Sequence, residues 1–221
     1  MSMRSVTTVI TKAKSRDLTT LATAKDELQI TGSTYDKRLR RWIKEESAAV
    51  ESYCKRRLIK ETLQQTFTGY TVNHADLVLV LWPVSEILTV MWNGTSLTPD
   101  QWQLDAEAGL LRRYDATQGC CIPWFDYPGY YLAGYPYPNI VVVQYTGGYT
   151  LGEDLPPDIE VAVLMQLGHR KSAGTRDQTI KTETVPNVLS TTYWIANPGE
   201  NAAIVPAAAS RLEPYVAEPH L

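Results

Sequence analysis

The chain has 221 residues and a mass of 24.8 kDa, and 44% of its residues are hydrophobic. This apolar content is enough for a packed core, which excludes an intrinsically disordered protein. The 21 basic and 24 acidic residues leave a net charge of −3, so a general attraction to nucleic acid or anionic lipid is excluded as well. Any attraction of that kind has to come from a local basic cluster.

Targeting and redox features indicate a protein that stays in the cytoplasm or enters an assembly built there. No apolar run approaches the roughly 20 residues that a membrane-spanning helix needs, and the N-terminus lacks the apolar stretch of a secretion signal. The cysteines are Cys54, Cys120 and Cys121. Because an odd count with two adjacent members is a poor disulfide framework, we expect free thiols.

The N-terminal part of the chain predicts an arm and then a helix. Residues 1–16 hold one β-like patch, residues 6–10, and are predicted as an arm. Leu21, Ala24 and Leu28 then recur at helical spacing. They predict a first helix near residues 20–30.

The second helix, predicted near residues 34–59, is the clearest element in the sequence. Ser33 followed by Asp36 is typical of a capping box at a helix start. An apolar stripe then follows one face through Leu39, Trp42, Ile43, Val50, Tyr53, Cys54 and Leu58. The other faces carry basic residues near both ends, namely Lys37, Arg38, Arg40, Arg41, Lys44, Lys55, Arg56, Arg57 and Lys60.

From residue 62 the apolar period becomes that of strands, which predicts a β-rich insertion over residues 62–149. Asn93-Gly94 is typical of a hairpin turn of the primed type, and Pro83 is expected at a strand edge or bend. The predicted strands are residues 62–68, 77–81, 87–92, 102–104, 110–114 and 140–145. Residues 115–139 show no periodicity and are predicted as a loop rich in tyrosine and proline.

Helical patterns return after the insertion. Pro156-Pro157 suits the first turn of a helix near residues 156–172, and this helix is apolar over so wide an arc that we expect it to be central. A polar, threonine-rich stretch over residues 175–201 predicts an extended arm or a hairpin, and a short helix is predicted near residues 207–213.

These elements together predict an α+β fold in two parts. Residues 1–61 and 150–221 are expected to form a small helical bundle with N-terminal and C-terminal arms. Residues 62–149 are expected to form an antiparallel β-rich domain inserted between its second and third helices.

The motifs of several enzyme classes are missing from the sequence, so we expect neither catalysis nor a cofactor. There is no nucleophile elbow, P-loop, dinucleotide fingerprint, H-E-x-x-H motif or paired C-x-x-C. Asp105 and Glu107 fit an exposed hairpin connection better than a pair of catalytic carboxylates. No metal site is expected, because the spacing of the histidines and cysteines offers no tetrahedral template: His74, His169, His220, Cys120, Cys121.

Two clusters are candidate binding sites. The basic residues of the second helix are suited to phosphate contacts, although Glu45, Glu46 and Glu51 on the same helix allow the alternative of a solvated, internally paired face. The tyrosines of the loop suit contacts with protein, sugar or bases, or simple packing on the β-domain: Tyr127, Tyr130, Tyr131, Tyr135, Tyr137.

The order of these pieces resembles the head-to-tail connector (adaptor) proteins of tailed bacteriophages. The resemblance is carried by Leu-Thr-Thr-Leu-Ala-Thr-Ala-Lys-Asp-Glu-Leu at residues 18–28, by the helix over residues 36–58 with its Tyr-Cys-Lys-Arg-Arg-Leu end, and by Leu-Pro-Pro-Asp-Ile at residues 155–159. Residues 207–215 resemble the short terminal helix of these adaptors. The β-rich insertion is similar to that of the longer members of the family.

The resemblance implies a non-enzymatic protein of the virion neck that is assembled in the host cytoplasm. It implies a homo-oligomeric ring, commonly a dodecamer, that docks beneath the portal protein, passes double-stranded DNA through its channel and carries a tail or neck completion protein, without membrane contact. The implied portal-docking residues are Ala207, Arg211, Leu212, Pro214 and Tyr215. The implied ring or channel residues are Arg38, Arg40, Arg41, Lys44, Arg56 and Arg57, and we expect the loop tyrosines to make contacts at the ring periphery.

Two other functions remain open from the residues alone. The basic second helix also fits a DNA-packaging or nucleic-acid-binding accessory protein. The tyrosine-rich loop also fits a glycan- or receptor-binding module.

Overall fold

The computed structural model describes residues 4–69, 76–124, 139–173, 182–185, 189–192 and 204–217. They belong to two compact units. A β unit comprises Met1–Lys14 and Leu58–Tyr149, and a helical unit comprises Ser15–Arg57 and Thr150–Leu221. The described residues form four α-helices and antiparallel sheets, which confirms the predicted α+β class.

Most of the strands that the structure describes are short, and most of them lie in the β unit. They are β1 (Arg4–Thr11), β2 (Glu61–Gly69), β3 (Asp76–Val78), β4 (Val84–Trp92), β5 (Thr95–Ser96), β6 (Trp102–Asp105), β7 (Leu110–Asp115), β8 (Cys120–Ile122), β9 (Asn139–Gly147), β10 (Thr182–Val185) and β11 (Leu189–Thr192). The first nine belong to the β unit. Strands β10 and β11 pair as an antiparallel hairpin, in the stretch for which an arm or a hairpin was predicted.

Two antiparallel sheets share one apolar core. The larger sheet has the order β1-β2-β9-β4-β5, and the smaller has the order β3-β7-β6 with β8 also paired to β7. Because side chains alternate along a strand, each inner face contributes every second residue to the core. The fully buried members include Leu63, Phe67, Leu77, Leu111, Trp124, Val141, Val143 and Tyr145.

The N-terminal residues differ from the prediction. We expected an arm attached to the helical core, whereas β1 pairs with β2 along its whole length and belongs to the β unit. Val9 packs against the sheet core. Only a distant segment of the chain supplies the partner strand, so the local sequence shows the β tendency and not where it is satisfied.

The β unit also corrects two predicted segments. The strand expected over residues 77–81 ends at Val78, because Gln65 Oε1 accepts the N–H of Val80 and Tyr145 Oη accepts the N–H of Leu81 in place of a partner strand. Strand β8 was missed, since it lies in the stretch that showed no periodicity. The Asn93-Gly94 turn is confirmed, with φ of 48° and 84° as a primed turn requires.

The helical unit contains α1 (Leu21–Glu27), α2 (Asp36–Cys54), α3 (Pro157–Ala173) and α4 (Pro206–Leu212). Helix α3 packs against the other three, as its wide apolar arc predicted. Among the described residues, no helix combines the length and apolar character needed to cross a membrane.

Both ends of α2 differ from the prediction. The helix begins at Asp36 after Tyr35, without a side-chain capping bond, so the predicted capping box with Ser33 is wrong. The Asp36 carboxylate accepts instead from Lys25 Nζ at 2.8 Å. At the other end, Lys55 adopts the left-handed conformation, with φ of 55°, and ends the helix at Cys54 rather than near residue 59.

Two glycines provide a matched test of how closely β9 packs against Leu81. A Cβ on Gly147 would lie 2.4 Å from the backbone oxygen of Leu81, whereas a Cβ on Gly168 in α3 would meet nothing within 4 Å. We expect Gly147→Ala to lower the free energy of unfolding by about 1–3 kcal/mol, because neighbouring backbone has to move.

The control, Gly168→Ala, should raise that free energy by about 0.5–1 kcal/mol, since alanine is the better helix former. Urea unfolding of the two variants measures both values. Equal effects would contradict the described packing of β9 against Leu81.

Candidate functional site

Helix α2 presents a basic face to solvent. Its buried side is formed by Leu39, Ile43 and Val50, which contact the interior of the helical unit. Residues at i, i+3, i+4 and i+7 share one side of a helix, so the opposite side collects four cations. These are Lys37, Arg40, Arg41 and Lys44, all exposed, and they are called the α2 basic face below.

The acidic residues of α2 neutralise this face only in part. Glu45 lies 3.6 Å from Arg41, as the alternative of a paired face expected. Glu45 and Glu46, however, also bind Arg170 of α3, at 2.6 and 2.8 Å. Within the described ranges, Lys37, Arg40 and Lys44 form no ion pair, so this part of the helix keeps a local positive charge.

Arg38 lies beside this face and is held by an aromatic ring. Its guanidinium lies 4.4 Å from the centre of the Trp42 ring, and that of Arg170 lies 5.1 Å from the same ring. Such cation–π contacts stabilise by about 0.5–1 kcal/mol at exposed sites. Arg170 therefore joins α3 to α2 through Trp42, whereas Arg38 contacts this ring within α2 and adds charge to the surface.

The second basic cluster does not lie on a helix face. Arg56 follows the end of α2 and is buried, and its Nε donates to the carbonyl oxygen of Tyr215 at 3.0 Å. Arg57 is half-buried. We predicted both as ring or channel residues, but a buried Arg56 is placed to hold the C-terminal segment rather than to meet DNA. The sequence showed its charge and not its burial.

The C-terminal segment is part of the packed helical unit. Ala208 and Leu212 of α4 are fully buried, and Val205 N–H donates to Gln166 Oε1 of α3 at 3.0 Å. Arg211 Nη1 lies 2.8 Å from Asp158 Oδ1 in the first turn of α3. Farther on, the N–H of Ala217 donates to the carbonyl oxygen of Cys54 at 2.8 Å and satisfies an acceptor at the end of α2.

The predicted portal-docking residues therefore fall into two groups. Ala207, Arg211 and Pro214 are exposed and accessible to a partner. Leu212 lies in the core, and Tyr215 is half-buried with its carbonyl bonded to Arg56. The apolar side chain that was assigned to docking is thus committed to the subunit's own fold.

The five tyrosines of the predicted contact loop lie outside the described residues. The described chain before them ends at Trp124, which is fully buried and donates from Nε1 to the carbonyl oxygen of Leu111 at 3.2 Å. Its own carbonyl accepts from Trp92 Nε1 at 2.9 Å, and the Arg113 guanidinium lies 3.8 Å from the centre of the Trp92 ring. This anchor was not found from the sequence, because Trp124 stands alone in a stretch without a periodic pattern.

The cysteines, Asp105 and the histidines were considered as possible catalytic or metal-binding residues. Cys54 is buried, and its desolvation raises the pKa of the thiol to about 11, whereas Cys120 and Cys121 are exposed. Asp105 Oδ1 accepts the N–H of Ala108 in the β6–β7 turn, which agrees with a hairpin connection. His74 and His220 lie outside the described residues. Where the chain is described, no group of three or more potential metal ligands occurs.

No protein-family model matches the chain, and no curated protein sequence matches it significantly. Solved structures do match its fold. One is a chain in the neck of an empty GTA particle computed with C6 symmetry, with 15% sequence identity, a TM-score of 0.52 and coverage of 100% of this chain and 98% of that one. Another is a chain in the virion of a native gene transfer agent (GTA) particle, with 14% identity, a TM-score of 0.54 and 97% coverage of both chains. This chain therefore shares the fold of these particle components over its whole length.

The burial of Leu212 generates a direct test. We expect Leu212→Ala to lower the free energy of unfolding by about 2–5 kcal/mol, as large-to-small changes in a core do. Pro214→Ala, at an exposed position two residues on, should lower it by no more than about 1 kcal/mol, because only the restriction that proline places on the unfolded chain is lost. Thermal and urea unfolding measure both. A stable Leu212→Ala variant would contradict the placement of α4 in the core.

Proposed function

We propose that this chain is a structural connector in the neck of a phage-like particle. In this role it forms a ring that docks on the portal protein, continues the DNA channel and carries a tail or neck completion protein. The observation that carries the proposal is the whole-chain similarity of fold to a component of a GTA particle neck. The order of helices in the sequence supports the same assignment independently. The role requires no catalytic step and no cofactor.

The symmetry of the neck structure supports a cyclic assembly. That structure was computed with C6 symmetry, and a dodecamer is compatible with it because a twelve-fold axis contains a six-fold axis. In a ring each copy can bury further surface on two neighbours.

The α2 basic face supports a contact with DNA in the channel. Lys37, Arg40 and Lys44 attract phosphates without reading bases, and the overall charge of −3 limits the strength of that attraction. A channel that has to release DNA needs contacts of this weak, sequence-independent kind.

The same face supports the alternative of a DNA-packaging or nucleic-acid-binding accessory protein, which would bind DNA without a portal. For the glycan- or receptor-binding alternative, the carrying tyrosines lie outside the described residues, and no contact in the described chain adds to it. Binding to the portal separates the connector from both alternatives.

The portal contact is tested at Arg211. We expect Arg211→Glu to weaken portal binding by about tenfold, since one favourable interface charge becomes repulsive. Surface plasmon resonance against isolated portal measures this change. Unchanged affinity would contradict docking through α4.

A charge swap supplies the control. Arg211→Asp combined with Asp158→Arg keeps the ion pair with α3 and moves the positive charge to the other partner. Portal binding that is lost in Arg211→Glu and fully restored by the swap would mean that Arg211 acts only within the subunit. Binding that stays weak in both variants supports direct docking.

The DNA contact is tested by double charge reversal. Lys37→Glu with Lys44→Glu should weaken duplex binding at low salt and reduce the slope of log affinity against log salt by about 2, because each phosphate contact contributes about 0.9. Lys55→Glu with Lys60→Glu is the matched control, since both lysines are exposed and lie outside the α2 basic face. Equal loss in the two variants would contradict a role for α2.

A further inference from the structure

The larger sheet of the β unit has two strands with open edges. Strand β1 pairs only with β2 among the described strands, and all its residues from Ser5 to Thr11 are exposed except the half-buried Val9. At the other side, β4 pairs with β5 only at Met91 and Trp92. An unpaired edge presents N–H and C=O groups that can accept another strand.

The open part of β4 has defined limits. The N–H of Val84 donates to the carbonyl oxygen of Ala106, and the carbonyl oxygen of Val90 accepts from Leu97. Residues 85–89 lie between these two bonds, and four of the five are exposed: Ser85, Glu86, Leu88 and Thr89. A neighbouring strand therefore has a short window in which to pair.

Exposed apolar side chains concentrate on this sheet. The described residues include seven exposed large hydrophobic side chains, and five of them belong to strands β1, β4 and β9 of the larger sheet. They are Val6, Ile10, Leu88, Met91 and Ile140. Clustered exposed apolar residues mark interaction surfaces, whereas scattered ones need no explanation.

The two open edges complement each other in the order of their residues. Thr11 pairs with Thr62, Thr62 with Thr146, and Thr146 with Glu86, so these four residues form one row across the sheet. Lys12, which follows Thr11, is exposed, as is Glu86. If the row continued into a second copy of the sheet, Glu86 of one copy would lie opposite Thr11 of the next, and the long side chain of Lys12, just beyond the end of β1, could reach the Glu86 carboxylate.

The apolar residues follow the same order. The pairing register of β1 shifts between Val9 and Thr11, and that of β4 shifts between Ile87 and Thr89, so Ile10 and Leu88 are extra residues without a partner in the register. They lie within about one row of each other. Their side chains are 50% and 46% exposed. Lateral continuation thus brings Ile10 of one copy near Leu88 of the next, and Lys12 within reach of Glu86. It also keeps the alternation of strand direction, because β1 and β4 run in opposite directions in this sheet.

We propose that the second half of β1 in one copy, Thr8 to Thr11, adds to the open edge of β4 in a second copy, over residues 85–89, so that the larger sheets of neighbouring subunits join head to tail. The proposal deepens the ring assembly proposed above and rests on it. A head-to-tail contact leaves a free β1 edge at one end of a row of copies and a free β4 edge at the other, so every edge is paired only when the row closes into a ring. Because a short strand contact buries less than a stable interface needs, it works together with other contacts in that ring.

The experiment is site-directed cross-linking in the full-length chain. Ile10→Cys and Leu88→Cys are combined in a Cys120→Ser/Cys121→Ser background, where the remaining Cys54 is buried and protonated at neutral pH. A short bismaleimide, which tolerates a shift of one row, should give a ladder of covalent oligomers. Ile140→Cys with Leu88→Cys is the matched control and should give no ladder, because β9 lies inside the sheet.

A charge swap tests the register. Glu86→Lys should weaken self-association about tenfold in sedimentation velocity, since attraction becomes repulsion, and adding Lys12→Glu should restore it. Glu107→Lys, at an exposed turn of the same unit, should have no effect.

The outcomes separate the two proposals. Rings that form without a 10–88 link overturn the strand contact and leave the connector function intact. Efficient dimers of the Ile10→Cys variant alone, without higher species, show that β1 pairs with β1 and also overturn it. A chain that stays monomeric alone and with portal overturns both.

Discussion

The burial of α3 is the constraint on which the helical unit depends. Ile159, Ala162, Val163 and Leu167 are fully buried along one side of the helix, and the buried Leu164 widens this arc to more than half of the circumference, so one neighbour cannot cover it. Each of the valine, leucine and isoleucine side chains stabilises by about 1.5–3 kcal/mol when removed from water. Helices α1, α2 and α4 therefore all pack on α3. As a result, α4 belongs to the core, and α2 is left with one buried face and one basic face.

This arrangement decides which surfaces remain available for partners. Leu212 is used in the subunit's own core, so a partner of α4 meets Arg211, Ala207 and Pro214 instead. In the β unit the corresponding constraint is one-sided burial, because the inner face of the larger sheet forms the core, while no described strand pairs with the outer edge of β1 or with residues 85–89 of β4. Neighbouring copies, the portal and DNA thus have separate places on the chain in the proposed connector.

Local patterns predicted a large part of this structure. The apolar stripe of α2 and the wide arc of α3 placed both helices, and Asn93-Gly94 placed a turn. What the sequence did not show depends on distant partners: the pairing of β1 with β2, the buried positions of Arg56 and Leu212, and the anchor formed by Trp124. The early end of α2 was missed because Lys55, rather than glycine, takes the left-handed conformation.

The location of the chain in a particle is the most direct test of the proposed connector role. Cryo-electron microscopy of particles that contain this protein should show its helical unit in symmetric copies at the vertex between portal and tail, with Lys37, Arg40 and Lys44 facing the channel. Density for the chain elsewhere, for example in a fibre or inside the head, would contradict the connector assignment.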